Sequence, residues 1–235
     1  MVGYTIIVVG CGATGSNLIG LLSQYAISEK KIKKIILVDG DHVEEKNFRN
    51  QKFTKKDVNL NKARILSKRY SKLGIDISYI PEYITDSEKI ITLIKDYKDV
   101  ILVGCVDNNA ARKHLNEVFY SEKVPSLIYI DTGNGDGNNR LGQTVCGAKQ
   151  EGKIVKPPVA DIYPQSITEE PIKNEIGYRC SQIEEHPQNF VVNVMSATIT
   201  FTMLNNIISL GKVRKSFVRF NTDYISVRWL NFITC

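Results

Sequence analysis

Val8-Val9-Gly10-Cys11-Gly12-Ala13-Thr14-Gly15-Ser16-Asn17 closes an apolar strand with a glycine-rich turn, and the next apolar strand ends in Asp39-Gly40-Asp41. This arrangement predicts a nucleotide site. Gly10 and Gly12 allow a tight turn and close backbone approach to a phosphate. Gly15 lets the following helix pack near the strand, and the helix N-terminus supplies amide donors and a positive dipole end. Asp39 stands at about the spacing expected of a carboxylate that grips ribose hydroxyls. Taken alone, such a turn describes a dinucleotide oxidoreductase more often than anything else.

Outward from that turn, strands and helices alternate. Strands are expected at Tyr4–Val9, Lys34–Val38, Asp76–Ile80, Val100–Val103 and Ser126–Asp131, with helices at Thr14–Tyr25, Lys56–Tyr70, Ser87–Lys95 and Asn108–Ser121. This is a βαβ array whose ligands gather at the carboxyl ends of parallel strands, where Gly10, Asp39 and Asp107 all fall. The second half changes character. Gly133–Asn139 reads as a loop, Arg140–Cys146 as a strand, and a proline-rich stretch of little periodicity runs from about Gln150 to Gln188. An apolar helix follows from about Asn189 to Ile208. Phe217–Phe220 and Ile225–Leu230 form a closing hairpin around Asn221-Thr222-Asp223. The expected fold is Rossmann-like α/β, with a parallel sheet in the N-terminal half continued by antiparallel strands in the C-terminal half.

Beyond Asp39 come Asp41-His42-Val43-Glu44-Glu45-Lys46-Asn47-Phe48-Arg49-Asn50-Gln51, then Asn61-Lys62-Ala63, and later Val106-Asp107-Asn108-Asn109-Ala110-Ala111-Arg112. A nicotinamide enzyme needs the first carboxylate but has no evident use for Asn, Arg, Gln and Lys just past it. A triphosphate does. In this order the residues resemble the ThiF/MoeB superfamily, the ubiquitin-activating-enzyme-like adenylyltransferases. The pattern there runs glycine loop, D-x-D-x-V-E-x-x-N-x-x-R-Q, a helix-borne Lys, then D-N-x-x-x-R after the fourth strand. One departure is visible: Arg49 lies two residues after Asn47, and Asn50 separates it from Gln51.

The resemblance implies ATP and Mg²⁺ as cofactors and one adenylation domain over 1–235. Residues 1–131 would form its nucleotide-binding half, and 132–235 a partner-binding half with a crossover loop at about 150–188. It implies that Arg49 and Lys62 contact the triphosphate, that Asn47 and Gln51 help hold it, and that Asp39 takes the ribose. Asp107 would bind Mg²⁺, with Asp41 orienting Arg49 or the metal. Surrounding the phosphates with cations is what attack by a carboxylate on the α-phosphate demands, because catalysis there is mainly positioning and charge neutralisation. Arg112, one helical turn past Asp107, reads as a helix-to-loop tether and is left out of the set. The partners implied are a small ubiquitin-like or sulfur-carrier protein and a second copy of the chain.

Five cysteines without a C-x-x-C pair fit reduced thiols; zinc is not expected. Cys11 lies in the glycine loop, where amide donors lower a thiol pKa, but a small residue that fits is the commoner reading. Cys105 ends a core strand and Cys146 is internal to one. Cys180, in Gly177-Tyr178-Arg179-Cys180-Ser181-Gln182 ahead of Gln188-Asn189-Phe190-Val191-Val192-Asn193, combines a polar loop with a nearby Arg179. A loop cysteine, an acidic stretch and the Q-N-F-V-V-N helix start together resemble the C-terminal half of ThiF-family proteins of PRTRC-type bacterial gene clusters, which makes Cys180 the candidate thioester nucleophile, against the reading of a loop thiol with no catalytic role.

Composition narrows the remaining classes. The net charge of +6 is spread over Lys-rich helices, and no nucleic-acid motif accompanies it. The start lacks the pattern of a signal peptide and no apolar run reads as a membrane span, so a cytoplasmic protein is expected. The sequence thus points to an ATP- and Mg²⁺-dependent adenylyltransferase acting on the C-terminal carboxylate of a carrier protein. Its rival is a non-catalytic or split-activator module that holds a ubiquitin-like partner.

Overall fold

A computed structural model describes residues 3–134, 140–168 and 189–229. Its centre is β1 (Tyr4–Val9), flanked on one side by β2 (Ile32–Val38) and then β3 (Ile77–Ile80), and on the other by β4 (Val100–Gly104) and β5 (Leu127–Asn134). These five pair in parallel, in the order β3-β2-β1-β4-β5. Antiparallel pairing then continues the same sheet through β6 (Leu141–Gln150), β8 (Phe217–Asn221) and β9 (Ser226–Trp229), while β7 (Lys153–Lys156) folds back on β6. The parallel half followed by an antiparallel half is the architecture the sequence predicts.

Alternation along β1 explains how two layers of helix attach. Ile6 and Val8 point into one core with α1 (Ala13–Ala26), α2 (Lys62–Tyr70) and α6 (Phe190–Leu210), through Leu18, Leu22, Leu66 and Met203. Ile7 and Val9 point into the other, with α3 (Ser87–Lys95), α4 (Asn109–Tyr120) and α5 (Val159–Ile162), through Ile91, Leu115 and Phe119. Strands buried on both faces have to be apolar throughout, and each such side chain contributes about 1.5–3 kcal/mol on burial.

Three expectations are corrected. The helix placed at Lys56–Tyr70 begins only at Lys62. Residues 58–61 instead return to the loop after β2, with Asn59 N–H donating to Val43, Val43 N–H to Leu60, and Asn59 at φ 66°. Asn61 then caps α2 by accepting from Arg64 N–H at 2.9 Å. The proline-rich stretch is partly structured: β7, α5 and a 3₁₀ turn at Pro164–Ile167 follow β6 directly. Finally, α6 is 21 residues long, carries no Asp, Glu, Lys or Arg, and is apolar enough to cross a membrane by length and composition. Its Ala197, Leu204 and Ile208 are fully buried against the sheet and α1, the behaviour of a core helix.

Candidate active site

The carboxyl ends of β1, β2, β4 and β5 open into one cleft of about 1690 Å³. Ligand pockets commonly measure about 300–1,000 Å³, so this cleft has room for a nucleotide and a stretch of polypeptide beside it. Its floor is the glycine loop. Gly10 sits at φ 93°, and a side chain there would come within 2.5 Å of the Cys105 carbonyl oxygen. A side chain at Gly15 would overlap the Gly10 carbonyl oxygen, so it is the loop itself that Gly15 admits against α1. Gly12, at the N-cap of α1, faces no protein atom within 4 Å of where a Cβ would be. Its missing side chain leaves a concavity lined by the helix N-terminus, which suits a phosphate.

Asp39 holds this loop in shape. Its Oδ2 accepts Cys11 N–H at 2.6 Å and its Oδ1 accepts Asp41 N–H at 2.7 Å. Burial pushes its pKa up against the opposing pull of those two donors and of Lys62. The same carboxylate lines the cleft, where each oxygen has a second lone-pair direction for a sugar hydroxyl.

Lys62 is the first residue of α2, and its side chain is buried within the cleft wall at 7% exposure. A cation at a helix N-terminus opposes the dipole, and the compensation is an ion pair of Lys62 Nζ with Asp41 Oδ2 at 2.8 Å. Asp41 therefore orients Lys62, where the sequence reading gave it Arg49 or the metal. Its other oxygen accepts from Tyr83 Oη at 2.5 Å. Burial raises the Asp41 pKa, but the bonds from Lys62 and Tyr83 outweigh it and the net direction is down. The same hydrogen bond, followed by burial, pushes the Tyr83 phenol up to about 12.

Arg49 is exposed, lines the cleft, and has no hydrogen-bond or ion-pair partner among the described residues. Asn47 is buried and its Oδ1 accepts Glu44 N–H at 2.8 Å, so part of its capacity caps the turn that carries Arg49. Gln51 also lines the cleft, and its Oε1 is buried without a hydrogen-bond partner among the described residues. Asp107 is exposed in the bend between β4 and α4, facing the same space. Among the described residues no group of three or more His, Cys, Asp or Glu side chains is placed to hold a metal.

Arg112 is fully engaged. Its Nε pairs with Asp131 at 3.0 Å, and its NH2 donates to the Val106 carbonyl at 2.9 Å, tying α4 to β5 and to the bend that carries Asp107. Tyr129 Oη donates to the same Asp131 at 3.0 Å. The thiols within the described residues are poor nucleophiles. Burial, then Asp39, pushes Cys11 well up; burial and Asp131 raise Cys105; burial takes Cys146 to about 12. Amide donors around Cys11 do not lower its pKa. The other two of the five cysteines, Cys180 and Cys235, lie outside the described residues.

Sequence reasoning missed Tyr83, Asp131 and Asn134. Tyr83 follows β3 by three residues in Pro81-Glu82-Tyr83, and its place at the carboxyl end of a parallel strand is the signal that was available. Asn134 joins a polar cluster at the cleft floor, donating from Nδ2 to Thr14 Oγ1 at 3.1 Å and to Asn193 Oδ1 at 2.5 Å.

The glycine loop at a helix N-terminus, the strand-end carboxylate and the cations Lys62 and Arg49 all face one cleft of a Rossmann-like fold. The chain belongs to the ThiF family, which it matches over residues 3–221. A comparison with curated protein sequences yields no match. Among solved structures it is similar to E. coli MccB with ATP, at a TM-score of 0.67 and 20% identity over 97% of this chain and 63% of that one. The Microcin C7 biosynthetic enzyme MccB in complex with N-formylated MccA gives a TM-score of 0.68 at 20% identity, over 97% of this chain and 64% of that one. PaaA gives 0.65 at 14% identity, over 97% of this chain and 64% of that one. The chain thus spans a little under two thirds of the length of these proteins, and at such identity the likeness is one of fold.

Proposed function

We propose that this chain is an ATP-dependent adenylyltransferase that activates the carboxylate at the C-terminus of a peptide or small protein. The observation that carries the reading is the convergence on one cleft of the open Gly12 concavity, the buried Lys62 and an Arg49 that has no partner among the described residues. A binding scaffold has no physical need of a cation buried at a helix N-terminus. ATP fits the donor set: amides of the Gly12 turn, Arg49 and Lys62 toward the phosphates, Asp39 toward the ribose. Family membership and the fold shared with MccB, which has been crystallised with ATP, support the same reading.

In the reaction the substrate carboxylate attacks the α-phosphate and pyrophosphate leaves, so negative charge gathers on the phosphoryl oxygens. Arg49 and Lys62 act by neutralising that charge in fixed positions. Asp41 keeps Lys62 directed into the cleft, and the Arg112–Asp131 pair keeps the bend bearing Asp107 in place. Mg²⁺ usually takes one or two carboxylates together with phosphate oxygens and water; Asp107 fits as its protein ligand once a triphosphate is bound, and the ion would supply further charge neutralisation.

We infer further that the substrate is a ubiquitin-like or sulfur-carrier protein, supported by a cleft larger than a nucleotide requires, and that the domain spans the whole chain. Pairing with a second copy is supported by α1 and α6, which together contain no charged side chain. Leu21, Phe190 and Val191 remain exposed on those helices. Transfer to Cys180 as a thioester and residence in the cytoplasm belong to the same reading.

The test is ATP–pyrophosphate exchange with a carrier protein ending in glycine. Exchange that needs Mg²⁺ and a free carboxylate at the carrier's C-terminus, and that disappears in Asp107→Ala, is the expected result. ATP hydrolysis to ADP without exchange would contradict it. The non-catalytic alternative predicts carrier binding with no exchange at all.

A further inference from the structure

The most exposed aromatic side chain lining the cleft is Tyr83. It is 61% exposed, yet it is held at two points. One side of its ring lies against Gly40, where a Cβ would stand 2.5 Å from the ring. Its hydroxyl donates to Asp41 Oδ1 at 2.5 Å. The central glycine of Asp39-Gly40-Asp41 is thereby explained, since any side chain there would displace the ring. Exposed tyrosines normally sample several rotamers; this one is fixed by backbone and by a carboxylate while most of its surface stays open to the cleft.

Its place relative to the sugar carboxylate gives that surface a use. Asp39, Gly40 and Asp41 are consecutive, so a ring seated on Gly40 adjoins the carboxylate that takes the ribose. The glycine loop, which follows β1, draws the phosphates to the β1 side of Asp39, and the ring rises from the β3 side. A nucleotide whose ribose is on Asp39 and whose phosphates are on the loop carries its base on the remaining side. We propose that Tyr83 is the stacking platform for the nucleobase, held ready by Gly40 and Asp41. This rests on the cleft being a nucleotide site, as proposed above, and goes beyond it by assigning the base subsite to one residue. Stacking accepts any flat base, so Tyr83 sets affinity for nucleosides over bare phosphates.

Calorimetric titrations with Mg²⁺-ATP and with inorganic tripolyphosphate, on the wild-type chain and on Tyr83→Phe, Tyr83→Trp and Tyr83→Leu, test it. Aromatic stacking on a base is worth about ten- to a hundredfold in affinity. Tyr83→Phe and Tyr83→Trp are expected to keep ATP affinity within about threefold, well inside that range. Tyr83→Leu is expected to lose about ten- to a hundredfold for ATP and little for tripolyphosphate. Equal loss in the Phe and Leu variants would overturn the proposal in favour of a hydroxyl latch on Asp41. Unchanged ATP affinity in Tyr83→Leu, or equal loss for both ligands, would also overturn it. A wild-type chain that binds neither ligand would overturn the nucleotide-site reading itself.

Discussion

Replacing Asp39 by Asn separates two jobs that the sequence motif merges. In the folded chain Asp39 accepts two short N–H bonds, from Cys11 at 2.6 Å and from Asp41 at 2.7 Å. An Asn at this position keeps one acceptor and turns an NH₂ donor toward the other N–H, so one bond is lost and the survivor is no longer charge-assisted. Hydrogen bonds to charged groups contribute about 1.5–3 kcal/mol each, and relief of the burial that raises the Asp39 pKa returns part of this. The net expectation is about 2 kcal/mol of destabilisation in the ligand-free protein, equivalent to about 4–8 °C in Tm for a chain of this size. Thermal unfolding without nucleotide measures it, with urea unfolding as a check on the free energy. A variant that melts within about 1 °C of the wild type while losing ATP affinity would refute the reasoning, because Asp39 would then serve the ribose alone.

Asp107→Ala should leave thermal unfolding nearly unchanged and lower carrier-dependent exchange by about a hundredfold or more, since Asp107 is exposed at a strand end and contributes no core contact. Unchanged exchange would remove it from the mechanism. In Lys62→Met the Asp41 carboxyl, followed by ¹³C NMR, should titrate at higher pH than in the wild type. The lowered folded pKa means that Asp41 contributes stability above its unfolded value of 3.8, lost as pH falls through the folded one, so Lys62→Met should flatten that acid limb. An unmoved midpoint would show that the pair at 2.8 Å does not set the charge. Gly15→Ala should destabilise the chain and abolish nucleotide binding together, as the new methyl displaces Gly10; calorimetry and unfolding on one preparation decide it. Cys11 and Cys146 should resist alkylation at pH 8 until the chain unfolds, and rapid labelling of either in the folded protein would contradict their burial.

The parallel half of the fold was legible because its signals are local: apolar runs, strand-end glycines, and turn residues between them. Ser87–Lys95 and Tyr4–Val9 fall where periodicity places them. The helix start at Lys62 was not legible, because it depends on residues 58–61 pairing with the loop after β2, a contact no window of sequence contains. β7 and α5 were hidden for a similar reason: they form by folding back on β6, and prolines disguised them as loop. At the site, the residue types were legible and their pairings were not. Asp41 belongs to Lys62 and Tyr83 because β2 and β3 end where α2 begins, which is a property of the tertiary fold. Tyr83 itself carries no motif; only its position after β3 marks it.

The central claim is that this cleft takes the triphosphate of ATP, and calorimetric titration of the wild-type chain with Mg²⁺-ATP and with NAD tests it most directly. ATP binding that is tighter than NAD binding, and weakened in both Arg49→Ala and Lys62→Ala by about tenfold or more, as expected on losing a charge-assisted phosphate contact, is the predicted result. NAD binding tighter than ATP, or ATP affinity indifferent to both substitutions, would contradict it.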